Sequence, residues 1–294
     1  MSVWKHWKKY SFLVLLLVVF LLLDFLISQV FTPYLIESGR FVLNDYELTR
    51  RDHPEEVWDK VFFGNSVVIS AYREDVSESD FVNLGLDYGV VEDLWEMVDQ
   101  GIIQIGSELV VGLSDLTLYD HFETNPTYPW HRALYEPYCY FQRDRLRLFL
   151  EEQLVGVLTG NLSEPAYGDR QKIHYTGSLS QQELEEKVAT SKYTNLPLED
   201  FQENMNALEK LADYCDRHGV RMRAVWMPLN PSLEVSESTR AVYEQAKTTC
   251  EEQGVEFLDM ESALEAACFY DIGHLNYEYG AYRFTEVIDP WLLS

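Results

Sequence analysis

The stretch VWDKVFFGNSVVIS, residues 57–70, changes its pattern half-way along and predicts the first structural unit of the chain. Its first half is a short apolar run that ends at Gly64, which is typical of a buried β-strand that enters a tight turn. Asn65 and Ser66 follow in that turn, ahead of an apolar segment that we interpret as a helix. A buried strand followed at once by a helix is the unit from which parallel α/β sheets are built.

The segments on either side of this unit repeat the alternation. Strand-like apolar runs recur at 80–86 and 107–115, and a helical pattern lies between them at 90–101. After an interruption at about 116–196, the sequence resumes with a helix, a strand, a helix and a strand at 197–219, 220–228, 239–254 and 255–260. We therefore expect a parallel α/β sheet with a β-α-β-α-β order on both sides of the interruption.

The interruption at about 116–196 is rich in aromatic residues and proline, so we interpret it as an insertion that carries substrate or partner contacts. Its aromatic part runs from Tyr119 to Phe141 and includes Trp130. Such rings stack on the apolar faces of sugars, or they pack an insertion onto the sheet. The sequence leaves both uses open.

The N-terminal region contains an apolar run from Ser11 to Phe31, whose 21 residues match a hydrocarbon layer roughly 30 Å thick. We expect an uncleaved signal anchor, because a removable signal peptide usually has an apolar region of about 7–15 residues and a small-residue cleavage site. Lysines precede the run, which places the N-terminus in the cytoplasm and the remainder outside. The expected organisation is a cytoplasmic stub and transmembrane anchor at 1–31, a juxtamembrane connector at 32–56 and one extracytoplasmic domain at 57–294.

The charge balance narrows the classes of partner. The chain has 49 Asp and Glu residues against 23 Lys and Arg residues, which gives a formal net charge of −26. Such a surface repels phosphate backbones, so nucleic acid is not an expected partner. The charge is typical of an acidic surface that keeps a protein dispersed.

The cysteines and a short acidic motif offer little cofactor chemistry. The four cysteines show no C-x-x-C spacing, and Cys215 with Cys250 is the pair in which we would first expect a disulfide, with buried free thiols as the alternative. Asp120, His121 and Glu123 contain metal-ligand types, but adjacent residues point apart, and no second cluster converges on them. We expect neither a metal ion nor another cofactor.

Polar residues in the turns after predicted strands are the candidate site, because open parallel sheets bind ligands beyond the carboxyl ends of their strands. Ser66 follows the first strand as a candidate nucleophile, and Gly85 and Ser114 lie in the next two turns. Asp271 and His274 follow the last strand. A carboxylate that orients an imidazole, which in turn accepts a serine proton, makes a nucleophilic triad. Polar donors from several turns supply the hydrogen bonds that an oxyanion needs.

Four motifs occur in an order and separation that resemble the conserved blocks of the SGNH/GDSL hydrolase superfamily: GNS at 64–66, NLG at 83–85, GLSD at 112–115 and DIGH at 271–274. The resemblance implies a three-layer α/β/α sandwich and a catalytic set of Ser66, Asp271 and His274. It also implies an oxyanion hole formed by the backbone N–H groups of Ser66 and Gly85 together with a side chain at position 114.

Two residues depart from the family pattern. Asn65 stands where the family most often has aspartate, a change with little consequence for the triad. Ser114 stands where the family has an asparagine donor, and a hydroxyl is shorter than a carboxamide. Ser114 is therefore only a candidate replacement for that donor.

The anchor, the insertion and the tail after His274 resemble DltD-like and exopolysaccharide O-acetylation-type members, which work beside a membrane-bound O-acyltransferase. The resemblance implies acyl transfer onto a cell-envelope polysaccharide or teichoic acid. Asp24, inside the apolar run, is then a polar contact to another membrane protein, or it reaches interfacial water. Two alternatives stay open: a carbohydrate esterase with the same chemistry, and a non-catalytic scaffold or glycan-binding subunit with a degenerate site.

Overall fold

The computed structural model describes residues 3–26, 44–122, 124, 128–131, 154–160, 174–193 and 195–294. The chain divides into two compact units, one of Met1–Asn44 with Pro126–Arg170 and one of Asp45–Asn125 with Gln171–Ser294. The first unit contains helix α1 (Val3–Leu26) and a 3₁₀ turn at Pro129–His131. Among the described residues, none of the helices has the length and apolar character of a membrane span. The last part of the expected span, residues 27–31, lies outside them.

The second unit contains the sheet. Its elements in chain order are α2 (Asp45–Asp52), β1 (Val57–Gly64), α3 (Ser66–Ala71), β2 (Val82–Gly85), α4 (Val91–Asp99), β3 (Gln104–Leu113), α5 (Asp115–Leu118), α6 (Gln181–Thr190), α7 (Gln202–His218), β4 (Arg221–Trp226), α8 (Glu237–Glu252), β5 (Glu256–Asp259) and α9 (Gly280–Leu292). Short 3₁₀ turns lie at Leu198–Phe201 and Ala266–Cys268. Helix α2 falls within the residues expected to form a connector, and it belongs to the same compact unit as the sheet.

The five strands form one parallel sheet in the order β2-β1-β3-β4-β5. This confirms the expected α/β class. The expected β-α-β-α-β order after the insertion is wrong, since the residues described there form two strands, β4 and β5. The chain adds β2 on one side of β1 and β3 on the other. The carboxyl ends of β1 and β3 therefore flank the point where the winding direction reverses, which is where such sheets bind ligands.

Helices cover both faces of the sheet. Side chains of β1, β3 and β4, represented by Phe62, Val110 and Val225, share a buried cluster with α3 and α9. Successive strand residues point to opposite faces, and α7 packs against α4, α8 and β4. The last helix, α9, turns an apolar stripe of Ala281, Phe284 and Ile288 inward, and all three are buried.

Two glycines allow α3 to lie close against the sheet. A Cβ atom at Gly64 or at Gly112 would collide with the side chain of Val68, which packs over both positions. The absence of a side chain at these two strand positions therefore sets the distance between α3 and the sheet. Because Ser66 is the first residue of α3, the same contact fixes the position of the Ser66 side chain.

The described cysteines are free thiols. Cys215, Cys250 and Cys268 are buried and unpaired, so the expected disulfide between Cys215 and Cys250 is wrong and the buried-thiol alternative holds. Burial raises the pKa of the Cys215 thiol to about 12, and burial together with Glu251 does the same for Cys250. Cys139 lies outside the described residues.

A buried arginine on β4 ties the end of α9 to the sheet. The Arg223 side chain is 0% exposed and lies 2.6 Å from a carboxylate oxygen of Glu108 on β3. Its guanidinium also donates to the carbonyl oxygens of Trp291 and Leu292, at the end of α9. A cation at this position satisfies helix-end carbonyls that have no partner inside the helix.

Replacing Arg223 by methionine tests this connection. We expect Arg223→Met to lower the free energy of unfolding by about 3 kcal/mol, because it leaves the Glu108 carboxylate and two helix-end carbonyls without their cation. The matched control is Arg221→Met, since Arg221 is 48% exposed on the same strand and is expected to contribute under about 1 kcal/mol. Urea unfolding followed by circular dichroism measures both values, and equal losses would contradict the assignment.

Candidate active site

The turn between β1 and α3 presents Ser66 at the edge of the sheet. Asn65 is the N-cap of α3, and its side-chain oxygen accepts the N–H of Val67 at 2.9 Å. Because Asn65 performs the capping, the Ser66 hydroxyl is not needed at the helix end. The Ser66 Oγ instead lies 2.8 Å from Nε2 of His274, a residue 208 positions away in the chain.

A tight turn after β5 holds Asp271 and His274 together. The N–H of Tyr270 donates to the carbonyl of His274, and an isolated antiparallel bridge joins Phe269 to Leu275. The Asp271 carboxylate lies 2.9 and 3.0 Å from Nδ1 of His274 and accepts the backbone N–H of His274 at 2.9 Å. In the tautomer that satisfies both contacts of the ring, Nδ1–H donates to Asp271, and Nε2 accepts the Ser66 proton.

Asp271 is held in its ionised form. Burial alone would raise the pKa of this carboxyl, but hydrogen bonds and charge from His274, together with a hydrogen bond from Lys187, hold it well below its usual range. The carboxylate thus keeps the negative charge that stabilises an imidazolium. The structure brings together the three residues that the sequence singled out as nucleophile, base and orienting acid, and their catalytic roles remain a prediction.

Two residues from the predicted insertion also reach this group, and sequence reasoning missed both. Lys187 of α6 places its ammonium against Oδ2 of Asp271. The Tyr175 ring lies 4.3 Å from the His274 ring, between centroids, and stacks on Tyr270 at 5.0 Å. Burial, followed by the Asp271 carboxylate, raises the pKa of the Tyr175 hydroxyl. No motif surrounds either residue, so only their position in the fold identifies them.

Gly85 does not reach the site, which corrects its expected role as an oxyanion donor. Its N–H donates to the side-chain oxygen of Asn83 at 2.9 Å, and it does not line the cavity around Ser66. A Cβ atom at Gly85 would collide with the backbone and side chain of Ile69 on α3. The glycine is thus required for close packing between β2 and α3.

Ser114 lines the cavity, but its hydroxyl is engaged in capping α5. It accepts the N–H of Thr117 at 3.1 Å and lies 2.8 Å from the Thr117 hydroxyl. The side-chain amide of Asn65 reaches it at 3.4 Å. The Ser114 side chain therefore has its own partners and is not poised to replace the carboxamide donor of the family pattern.

One backbone N–H group at the cavity remains available as a donor. Among the described residues, the N–H group of Ser66 has no acceptor, whereas the N–H group of Tyr88 hydrogen-bonds to the Asp87 carboxylate. Ser66 is the first residue of α3, where helical N–H groups lack internal partners. Tyr88 has a φ of +59°, a left-handed conformation that non-glycine residues adopt at a cost. Both residues line the cavity, and the Ser66 N–H is the donor that this site offers to an oxyanion.

The cavity around Ser66 has a volume of about 440 Å³ and is lined by residues that follow β1, β2, β3, β4 and β5, together with α6 and the residues after it. A smaller cavity of about 170 Å³ adjoins it and shares Asp115, Leu116, Tyr193 and Leu229. Burial raises the pKa of Asp115, whose carboxylate accepts the hydroxyl of Thr239 at 2.8 Å.

Aromatic rings form one side of the larger cavity. Phe122 contacts the rings of Tyr88 and Tyr193 at 5.1 and 5.2 Å, between centroids, and Tyr119 packs against Tyr193 at 5.8 Å. Tyr119 also packs against the buried Phe201, so part of the expected aromatic segment serves packing. Residues 123, 125–127 and 132–141 of that segment lie outside the described residues.

Asp120 and His121, two residues of the candidate metal motif, make structural contacts. The Asp120 carboxylate accepts the N–H groups of Glu203 and Asn204, in the first turn of α7. His121 lies 3.5 Å from Asp200, and Glu123 is outside the described residues. Across the described ranges, no group of three metal-ligating side chains converges.

Comparison with known proteins leaves the family open. No protein-family model matches the sequence, and no curated protein matches it. Solved structures with some likeness include a Streptococcus pneumonia protein described as a platelet activating factor, with 13% identity, a TM-score of 0.46 and coverage of 96% of this chain and 99% of that chain. Another is Est24, a carbohydrate acetylesterase from Sinorhizobium meliloti, with 11% identity, a TM-score of 0.35 and coverage of 80% and 98%. These likenesses are too distant to support an argument about activity, which rests on the geometry of the site.

The left-handed backbone at Tyr88 has a measurable consequence. We expect Tyr88→Gly to raise or maintain the free energy of unfolding, because glycine adopts φ +59° without strain, whereas Tyr88→Val should lower it by about 1–2 kcal/mol. Tyr279→Gly is the control, since Tyr279 is similarly exposed but has a φ of −133° and gains nothing from glycine. Urea unfolding measures all three variants. A valine variant as stable as the glycine variant would contradict the strained conformation.

Proposed function

We propose that the protein is a serine-dependent enzyme that cleaves an acyl ester and carries the acyl group on Ser66. The observation that carries this proposal is the 2.8 Å contact between Ser66 Oγ and His274 Nε2, with the Asp271 carboxylate behind the ring at 2.9 Å. A serine hydroxyl is a weak nucleophile until an adjacent base accepts its proton. The arrangement supplies that base and the group that orients it.

The proposed reaction has two halves. His274 Nε2 takes the Ser66 hydroxyl proton as Oγ bonds to the ester carbonyl carbon, and the carbonyl oxygen becomes an oxyanion that accepts the N–H group of Ser66. The C–O bond to the alcohol then breaks, and the alcohol leaves with the proton held by His274. In the second half, His274 deprotonates an incoming hydroxyl, which attacks the acyl carbon and releases Ser66 with its proton restored.

We propose a sugar hydroxyl as the incoming group. The rings of Tyr88, Phe122 and Tyr193 along one side of the cavity support a carbohydrate partner, because aromatic faces stack on sugar rings. On the sequence resemblance, the acceptor is a cell-envelope polysaccharide or teichoic acid, and the donor is supplied by a membrane-bound O-acyltransferase. The apolar run at Ser11–Phe31 supports an enzyme anchored in the cell membrane with its site outside the cytoplasm.

Hydrolysis is the second candidate function. The His274 side chain is 21% exposed, so water reaches the group that would activate it. The same acyl-Ser66 then yields a free acid, and the protein is a carbohydrate esterase. Transfer and hydrolysis share the first half-reaction and differ only in which hydroxyl group accepts the acyl group.

Replacing the nucleophile tests the shared chemistry. We expect the full chain to be labelled at Ser66 by a fluorophosphonate and to hydrolyse an activated acetyl ester, and Ser66→Ala to lose the label and at least about 10³-fold of the rate. Ser191→Ala is the control, because Ser191 lines the same cavity without contacting His274. Mass spectrometry locates the label. A folded wild-type protein that is neither labelled nor active would favour the non-catalytic scaffold.

The fate of the acyl group separates transfer from hydrolysis. Adding teichoic acid or an exopolysaccharide to the ester assay should produce an acylated polymer at the expense of free acid if the enzyme is a transferase. Free acid as the sole product, at saturating polymer, would favour the esterase. Ser66→Ala should abolish either product.

The membrane anchor has its own test. We expect the full chain to sediment with membranes and to resist alkaline carbonate extraction, because the apolar run at Ser11–Phe31 matches the thickness of a hydrocarbon layer. A chain that lacks residues 1–31 should stay in the supernatant. Protease added to intact cells, after the outer layers are made permeable, should digest the catalytic domain. Release of the full chain by carbonate would contradict the proposed anchor.

A further inference from the structure

Helix α6 contributes little to the core and yet supplies a cation to the candidate triad. Among its ten residues, Leu184 is the buried one, and most of the others are exposed. Lys187 nevertheless points to the Asp271 carboxylate, whose side chain is 2% exposed, while the lysine side chain itself is 46% exposed. A lysine on a lightly packed surface helix has no packing reason to order its ammonium at a buried carboxylate.

The two carboxylate oxygens of Asp271 divide their donors unequally. Oδ1 accepts the backbone N–H groups of Gly273 and His274 at 3.1 and 2.9 Å, both from the same turn. Nδ1 of His274 lies close to both oxygens, at 3.0 Å from Oδ1 and 2.9 Å from Oδ2, and Oδ2 also accepts the ammonium of Lys187. Lys187 is therefore the donor to this carboxylate that comes from another part of the chain, and it meets the same oxygen as the imidazole.

We propose that Lys187 is a positioning residue of the triad: its ammonium orients the Asp271 carboxylate towards His274 and opposes protonation of the imidazole, which keeps the base available in mildly acidic surroundings. The proposal rests on the proposed function of Ser66 and His274. Lys187 does not touch Ser66, and its contact is to Asp271. Lys187 acts through the carboxylate, so its removal should change the pH range in which the site is active more than the maximal rate.

The charges around His274 give the direction of the effect. From its own turn it faces the Asp271 carboxylate, and the Asp87 carboxylate after β2 also interacts with it. Ser66 and the Tyr175 ring are its uncharged neighbours. Lys187 is the cation in contact with one of these carboxylates, Asp271, and Lys192 is a second cation of the same cavity. Without Lys187, both negative charges favour the imidazolium, and a protonated His274 cannot accept the Ser66 proton.

The test is the pH dependence of Ser66 labelling by a fluorophosphonate, with the full chain between pH 4.5 and 9. In Lys187→Met we expect the midpoint of the acid limb to move to higher pH by about half to one unit, with near wild-type rates on the alkaline side. Lys187→Arg should retain the wild-type midpoint, because it restores the cation. Lys192→Met is the matched control, since it removes one positive charge from the same cavity, where Lys192 lies over the Tyr193 ring.

Each outcome separates this inference from the proposed function. A wild-type chain that is not labelled at any pH would end the proposed function itself. A labelled wild type with an unchanged midpoint in Lys187→Met, or with equal shifts in Lys187→Met and Lys192→Met, would overturn the role of Lys187 alone. Thermal unfolding at pH 8 checks that the variants are folded, and a uniform loss of labelling at every pH would identify Lys187 as merely structural.

Discussion

The hydrogen bond between Ser66 and His274 depends on the parallel register of the sheet. The two residues are 208 positions apart, and they meet because every strand of the sheet ends at the same edge. Gly64 pairs with Gly85 and Phe63 with Val111, so β1, β2 and β3 end at neighbouring levels. The reversal of winding between β1 and β3 opens the space beyond those ends, and the turn after β5 brings the imidazole to it.

The same edge is held in place by contacts that lie away from it. Glycines at positions 64 and 112 allow Val68 of α3 to settle against the sheet, and Arg223 ties the end of α9 to β4. Because α3 and α9 share one apolar cluster, a shift in either would move the Ser66 hydroxyl. The precision of the site is thus set by ordinary packing in the layers below it.

Much of this could be predicted from the sequence, and the failures have physical causes. Strand and helix periods predicted the sheet, and an Asp-x-x-His run with a serine after the first strand predicted the triad geometry. The prediction that Gly85 is an oxyanion donor failed because its N–H donates to the side chain of Asn83. No sequence motif reveals such a local hydrogen bond. Lys187 was missed because it comes from the insertion, where no periodic pattern predicts which side chain turns inward. No sequence pattern predicts the left-handed conformation of Tyr88, since glycine is the residue expected in that conformation.

Lys187 comes from the surface helix α6, whereas Ser66 and His274 come from the turns beyond the strands. The turns beyond the strand ends hold Ser66 and His274, whose distance from each other depends on the sheet. The surface helix touches the core through Leu184, so among the described elements it is one that mutation can revise at small cost. If Lys187 acts as proposed, a change in this surface helix can shift the acidity at which the site works while Ser66, Asp271 and His274 stay the same.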